Sequence, residues 1–179
     1  MTEFDETPSS FLDESTLIVR QSDSDGRYLQ KRMALTPPAT PATLIPFSAQ
    51  RAVVSGDGKF VVFASDRSGT LEVYVQPVDG NSKAEKISSA GGDAPVWSPN
   101  GREVLYLREP EIIAVPFTVV QGQFRPGAER VWSRVEGNYS SSLRAGTNGR
   151  VLVAIDRKRH TREIRVIVNW QQDIAAKVK

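Results

Sequence analysis

The residue of this sequence best suited to acid–base chemistry is His160, the only histidine in the chain. It lies in the cationic run Asp156-Arg157-Lys158-Arg159-His160-Thr161-Arg162, where neighbouring positive charges disfavour protonation of the imidazole. A histidine base also needs a nucleophile within hydrogen-bond reach and a group that orients it. The chain has no Gly-x-Ser-x-Gly elbow that would supply a nucleophilic serine. We therefore interpret His160 as part of a solvated loop and predict no catalytic residue there.

Two carboxylates, Asp23 and Asp25, precede Gly26 and suggest a calcium loop, because calcium prefers several carboxylate oxygens on a sharp turn. The spacing of such a loop would put Gln21 at the first ligand position and Arg32 where a bidentate glutamate belongs. A hairpin turn explains these residues better. The absence of cysteine excludes disulfides and thiolate ligands. The sequence therefore predicts no metal site and no cofactor.

The same cationic loop could instead bind phosphate or an acidic partner, although a run of charge on a hairpin is usually solvated. The net charge of +2 and the lack of aromatic residues within the cluster argue against nucleic acid. The polar turns at Ser65 to Thr70, Arg108 to Glu111 and Asp156 to Arg162 are the predicted binding loops. Their candidate binding residues are Arg67, Arg108, Arg157, Lys158, Arg159 and His160.

The sequence lacks the motifs that phosphoryl transfer requires. A kinase needs a glycine-rich loop, a strand lysine and an aspartate–asparagine pair for magnesium. The sequence contains neither Gly-x-Gly-x-x-Gly nor His-Arg-Asp. Together with the analysis of His160, this predicts that the chain is not an enzyme.

The elements that would position these loops are short apolar strands separated by turns. In the stretch Asp93 to Phe117, the turn Ser98-Pro99-Asn100-Gly101 precedes the apolar run Val104 to Leu107. The pair Asn100-Gly101 predicts a two-residue type I′ hairpin turn, in which both central residues have positive φ. The apolar run has no polar side, so both of its faces should be covered by other sheets. A three-strand meander is predicted here.

The turn and the following strand recur along the chain. Aligned on the turn glycines Gly58, Gly101 and Gly149, the units repeat at a spacing of roughly 43 to 48 residues, which is typical of four-stranded β-propeller blades. We predict an all-β fold of about four antiparallel blades, forming a partial or open propeller. The predicted units cover residues 11–46, 52–88, 94–133 and 139–170, with a poorly ordered tail at 1–10 and a short helix or tail at 171–179. Unit one would lack its inner strand and unit four its outer strand. In unit three, Gln121 to Gly127 is rich in turn residues and is predicted to be a connector.

Two segments carry a family resemblance. VWSPNGREVLYL and VVSGDGKFVVFASDRSGTLEVYVQPV resemble the WD40-like repeats (PD40) of the TolB type. The region Ser55 to Trp170 is also similar to the carboxy-terminal propeller of some bacterial receptor-like serine/threonine kinases. The resemblance implies a rigid propeller that presents variable loops, and an extracytoplasmic location.

We therefore expect a non-catalytic scaffold that binds a protein or a small ligand. The alternatives are the sensor domain of a bacterial serine/threonine kinase and the accessory propeller of a serine peptidase. Exposed end blades would favour self-association. The start, MTEFDETPSS, has no apolar core of a secretory signal, so any export signal should lie outside this chain. No stretch approaches the roughly 18 apolar residues of a membrane span. Trp97 and Trp132 should fill space between blades.

Overall fold

The computed structural model describes residues 6–36, 40–80, 83–135, 138–146, 150–157 and 161–167. All regular elements in these ranges are β-strands, arranged in antiparallel sheets. The described residues contain no helix long and apolar enough to cross a membrane. The predicted all-β class and blade organisation are confirmed.

Each of the four sheets is built from consecutive strands. Sheet 1 contains β1 (Glu6–Asp13), β2 (Thr16–Ser22), β3 (Tyr28–Ala34) and β4 (Ala42–Ile45). Sheet 2 contains β5 (Gln50–Val54), β6 (Phe60–Ser65), β7 (Glu72–Pro77) and β8 (Glu85–Lys86). Sheet 3 contains β9 (Asp93–Trp97), β10 (Glu103–Arg108), β11 (Glu111–Val120), β12 (Gln123–Pro126) and β13 (Arg130–Arg134). Sheet 4 contains β14 (Asn138–Ala145), β15 (Val151–Arg157) and β16 (Thr161–Ile167).

The turns between the first and second strands of sheets 2 and 3 share one hydrogen-bond pattern. In sheet 3, Ser98 Oγ accepts from Glu103 N at 3.0 Å and donates to Asn100 Oδ1 at 2.7 Å. Only Gly101 has positive φ, at 67°. The predicted two-residue type I′ turn at Asn100-Gly101 is therefore wrong, because the Ser98 and Asn100 side chains stabilise a longer turn closed by Ser98 N and Glu103 O. The third predicted turn glycine, Gly149, lies outside the described residues.

A two-residue turn with positive φ at both positions does occur, but in the segment that was predicted to be a connector. Gln121 and Gly122 have φ of 51° and 75°, and they join β11 to β12. The predicted loop Gln121 to Gly127 is thus largely a hairpin. Phe124 of β12 is buried against the aromatic rings of the core, which explains why these polar-flanked residues form a strand.

The prediction of a polar tail over residues 1–10 is wrong for residues 6–10, which belong to β1, and unit one does have an inner strand. Its low β-propensity is outweighed by pairing along the full length of β2, from Glu6 opposite Gln21 to Asp13 opposite Thr16. Pro8 is tolerated because β1 is an edge strand with a register shift beside it. The predicted outer-strand gap of unit four, Trp170 and the predicted helix at 171–179 lie outside the described residues.

Apolar clusters hold neighbouring sheets together, as alternate side chains of β10 illustrate. Val104 and Tyr106 pack in the cluster shared with sheet 2, whereas Leu105 and Leu107 pack in the cluster shared with sheet 4. All four are buried, as the uninterrupted apolar run predicted. Full burial of a side chain of this size contributes about 1.5–3 kcal/mol. The sheets thus pack as successive blades.

The other contacts between blades follow the same order along the chain. A third cluster joins sheet 1 to sheet 2 and includes Ile18, Ile45 and Phe63. None of the three clusters in the described part of the chain joins sheet 4 to sheet 1. Trp97 packs between sheets 2 and 3 and Trp132 against the cluster between sheets 3 and 4, both as predicted.

Candidate ligand-binding cleft

The first strands of the four sheets lie side by side: β1 contacts β5, β5 contacts β9, and β9 contacts β14. Each is the edge strand of its sheet, so the backbone groups on its outer side are not used by its own sheet. Together these strands line a cleft of about 550 Å³. This volume lies in the range of sites that bury an organic ligand or a short peptide, roughly 300–1,000 Å³.

The wall of the cleft is cationic, with polar and apolar portions. Three arginines line it, and no aspartate or glutamate is among its lining residues in the described chain. The remaining polar groups are hydroxyls and one amide, and the apolar portion includes an indole. The arginines are Arg20, Arg51 and Arg144. The hydroxyl and amide groups belong to Thr7, Ser9 and Gln50, and the apolar portion includes Val53, Val54, Val96 and Trp97. The arrangement suits an anion that also has apolar surface.

Arg51 reaches the cleft through a distortion of β5. It has φ of 53°, and the β5–β6 register shifts between Gln50 and Val53, which marks a β-bulge. A non-glycine residue in this conformation costs about 1–3 kcal/mol and is enriched at ligand sites. Ala94 holds the same place in β9, with φ of 49° beside a register shift.

Asp93 stabilises both bulges at once. Its Oδ1 accepts from Ala94 N at 2.6 Å and lies 3.0 Å from Arg51 Nε. The ion pair therefore ties the start of β5 to the start of β9. Because it restrains the Arg51 side chain, the guanidinium is ordered before any ligand arrives, which lowers the entropic cost of binding.

The other two cleft arginines are held by neutral groups. The Arg20 guanidinium stacks 4.7 Å from the centroid of the Tyr28 ring, and its Nη2 donates to Thr7 Oγ1 at 3.5 Å. Arg144 Nη1 donates to the carbonyl of Leu143 at 3.0 Å. Since neither interaction neutralises the guanidinium, the cleft keeps its positive charge.

Of the predicted binding residues, Arg67 and Arg108 make contacts within the protein, and whether they also bind a partner stays a prediction. Arg67 lies in the turn between β6 and β7, and its guanidinium is 4.1 Å from the centroid of the Phe47 ring. Arg108 Nη1 donates to Glu129 Oε2 at 2.9 Å, and its Nη2 lies 3.9 Å from Glu111 Oε2. Neither residue lines the central cleft, although Arg108 borders a smaller groove of about 240 Å³ between sheets 2 and 3.

The rest of the predicted cationic site is not described. Arg157 ends β15, but its side chain is outside the described part of the structure, and Lys158, Arg159 and His160 lie outside the described residues altogether. Whether these residues bind anything stays a prediction.

The suggested calcium loop is occupied by an arginine. Arg27 Nε donates to Asp23 Oδ2 and Arg27 Nη2 donates to Asp25 Oδ2, each at 2.8 Å. Asp23 also accepts from the backbone N–H groups of Asp25 and Arg27, and the hydrogen bond from the Arg27 backbone is the main cause of its lowered pKa. These contacts are those of a hairpin turn. The described residues contain no group of three or more potential metal ligands.

Glu129 joins sheets 2 and 3. Its carboxylate accepts from Ser89 N at 2.6 Å, Ser89 Oγ at 2.7 Å, Tyr106 Oη at 2.6 Å and Arg108 Nη1 at 2.9 Å. Burial opposes ionisation of this carboxyl, but these hydrogen bonds outweigh it and hold the pKa of Glu129 below its ordinary value of 4.5. Burial, together with the bond to Glu129, raises the pKa of Tyr106 far above its usual range.

We expect Glu129→Gln to lower the free energy of unfolding by about 1–3 kcal/mol at neutral pH, because the amide cannot replace a carboxylate toward all of these donors. The pKa of Glu129 is lower in the folded state, so its contribution is fully present above about pH 4.5 and is lost as the pH falls through the folded pKa. Urea unfolding at several pH values should show a shallower acid dependence in the variant. The matched change Glu14→Gln, on an exposed turn, should leave the profile unchanged; an equal effect of both would contradict this role.

Sequence reasoning did not identify Arg20, Arg51 and Arg144 as one site. They belong to three different sheets and share no local motif. Arg51 and Arg144 each lie on a first strand, but at different distances from the turn glycine of their units, so the repeat does not align them. Only the stacking of first strands around a common cleft brings these positions together.

The sequence matches no family model and no curated protein. Several solved structures share its fold. A TolB structure from Agrobacterium tumefaciens superposes with a TM-score of 0.66 at 16% identity, and the match covers 91% of this chain and 57% of the TolB chain. TolB from Acinetobacter baumannii gives a TM-score of 0.68 at 15% identity, over 94% of this chain and 41% of its own. The gluconolactonase XC5397 from Xanthomonas campestris gives a TM-score of 0.59 at 13% identity; the match covers 91% of this chain and 72% of the gluconolactonase chain.

At these identities the similarity establishes the fold alone. The chain therefore has a TolB-like β-propeller fold and spans about half the length of the TolB structures it matches. The relation to kinase propellers stays a prediction.

Proposed function

We propose that this chain is a non-catalytic β-propeller module that binds a partner in its central cleft. The observation that carries the proposal is the convergence of Arg20, Arg51 and Arg144, from three sheets, on one cleft of peptide-binding size. A backbone bulge held by an ion pair orders one of these arginines. Strained backbone retained next to a cleft is a recurrent feature of binding sites.

The contacts of the cleft hydroxyls support a binding role over a catalytic one. Thr7 Oγ1 accepts from Arg20, and Ser9 Oγ donates to Gln30 Oε1 at 3.1 Å. A nucleophilic hydroxyl would instead be paired with a base. The pKa values of Tyr106 and Glu129 are shifted in a partly buried environment between sheets 2 and 3, where the two groups are hydrogen-bonded to each other. These shifts therefore need no catalytic role.

A sensor domain of a receptor kinase and an accessory propeller of a serine peptidase are narrower forms of the same proposal. In either case the cleft would supply the recognition and a separate domain the chemistry. A kinase or a hydrolase domain encoded alongside this chain would decide between them. Self-association through the end blades stays a prediction, for which the mass in solution is the test.

Site-specific photo-crosslinking tests the proposed function. We expect a benzoylphenylalanine at Ser9, which lines the cleft, to give a discrete adduct in an extract of the producing cells, whereas the same residue at exposed Gln123 on β12 should not. The variant Ala145→Trp, which fills the cleft without changing its charge, should abolish the Ser9 adduct. An adduct that forms equally from Gln123, or that survives Ala145→Trp, would rule out the cleft as the site.

A further inference from the structure

We infer, building on the proposed function, that the cleft takes an acidic peptide segment in an extended conformation. The structure places Arg20, Arg51 and Arg144 where they would bind the carboxylates of that segment. The inference rests on the charge of the cleft, on the backbone groups along its wall, and on its size.

The charge of the cleft selects an anion. Three guanidinium groups share a wall in which no described lining residue is acidic, and Asp93, which lies beside Arg51, is engaged in the Arg51 ion pair. Guanidinium forms paired hydrogen bonds with carboxylates, and such charge-assisted bonds strengthen where water is partly excluded. A neutral or basic segment would leave these groups desolvated without compensation.

The backbone along the wall selects an extended chain. Four edge strands line the cleft, and the backbone groups on the outer side of each are not used by its own sheet. Unpaired edge groups bind an extended peptide through main-chain hydrogen bonds, while pockets beside them bind alternate side chains. The same wall offers apolar contacts through Val53 and Trp97.

The size of the cleft argues against a small inorganic anion as the natural occupant. A volume of about 550 Å³ with an apolar portion would be largely unfilled by one phosphate ion. A segment with alternating acidic and apolar residues would satisfy the arginines and cover the valines and the indole together.

The test uses the full chain and a labelled probe peptide, acetyl-Glu-Val-Glu-Val-Glu-Val-amide, in fluorescence anisotropy. We expect saturable binding that weakens with added salt. The double variant Arg20→Gln/Arg144→Gln should raise the Kd by about tenfold or more. The matched control Arg125→Gln, on exposed β12 outside the cleft, should leave the Kd unchanged, and thermal melts of all variants verify folding.

The outcomes separate this inference from the proposed function. Equal binding of the glutamine counterpart of the peptide, or no effect of the arginine substitutions, would overturn the inference. Displacement of the peptide by inorganic phosphate at comparable concentration would show recognition of an anion alone and would overturn the extended-peptide assignment. Failure of the acidic peptide to bind, while the Ser9 crosslink still depends on Ala145, would also overturn the inference and leave the proposed function standing.

Discussion

Replacing Trp97 with alanine is expected to lower the free energy of unfolding by about 3–5 kcal/mol, the largest effect of any single substitution considered for this chain. The indole lies between sheets 2 and 3, edge-on to Phe117 at a centroid distance of 5.4 Å, and is buried. Its Nε1 also donates to the carbonyl of Val53 at 2.9 Å, so the side chain links β9 to β5 as well as filling space. Equilibrium denaturation in urea measures the change.

Trp97→Phe is the matched control for this prediction. It keeps an aromatic ring in the cluster but leaves the Val53 carbonyl without its indole donor, so the expected loss is smaller, about 1–3 kcal/mol. If Trp97→Ala unfolds at the same urea concentration as the unmodified chain, the packing between these two blades does not contribute as described.

Replacing Gly92 with valine is expected to lower the free energy of unfolding by about 1–3 kcal/mol or more through overpacking. A Cβ at this position would lie 2.7 Å from Tyr106 Cδ2 and 2.9 Å from Val73 Cγ2, closer than side chains pack. Both neighbours are buried, so they have no space into which to move. Displacement of Tyr106 should also break its hydrogen bond to Glu129, which joins the two sheets.

Gly56→Val provides the comparison for Gly92→Val, because a Cβ at Gly56 would meet no atom within 4 Å. We expect this control to change the melting temperature little. A similar loss of stability in both variants would show that the effect comes from replacing glycine as such and not from the contact with Tyr106.

The fold was predictable because its determinants are local and repeated. The run Val104 to Leu107 has apolar residues on both faces, and each face is indeed covered by a different sheet. The turn at Ser98 to Gly101 marks the start of the second strand in its blade. Such patterns involve residues that are close together in the sequence, so they can be recognised from a single sequence.

Two parts of the fold escaped prediction because tertiary contacts decide them. Strand β1 has poor intrinsic β-propensity and forms because β2 offers a complete ladder. Strand β12 lies in the predicted connector, yet Phe124 anchors it in the aromatic cluster with Phe60 and Phe117. In both cases the stabilising partner is defined by the folded arrangement and not by the segment itself.

The site escaped prediction for a different reason. Polar turns between strands led to the prediction of binding loops at Arg67 and Arg108, and in the structure these two arginines form a cation–π contact and an ion pair. The cleft arginines are dispersed along the chain and look like ordinary strand residues. Positive φ at Arg51, a feature of the candidate cleft, has no counterpart in composition or periodicity.

The most direct test of peptide binding in the central cleft is the response of the Trp97 indole to the acidic peptide. Trp97 is one of three tryptophans in the chain, it lines the cleft, and Trp97→Phe assigns its resonance in a proton–nitrogen correlation spectrum. If the peptide binds in the central cleft, titration will shift the Trp97 indole signal in a saturable way and leave that of Trp132, which packs against the cluster between sheets 3 and 4, in place. Saturation of the chain with peptide while the Trp97 signal stays fixed would contradict binding in the central cleft.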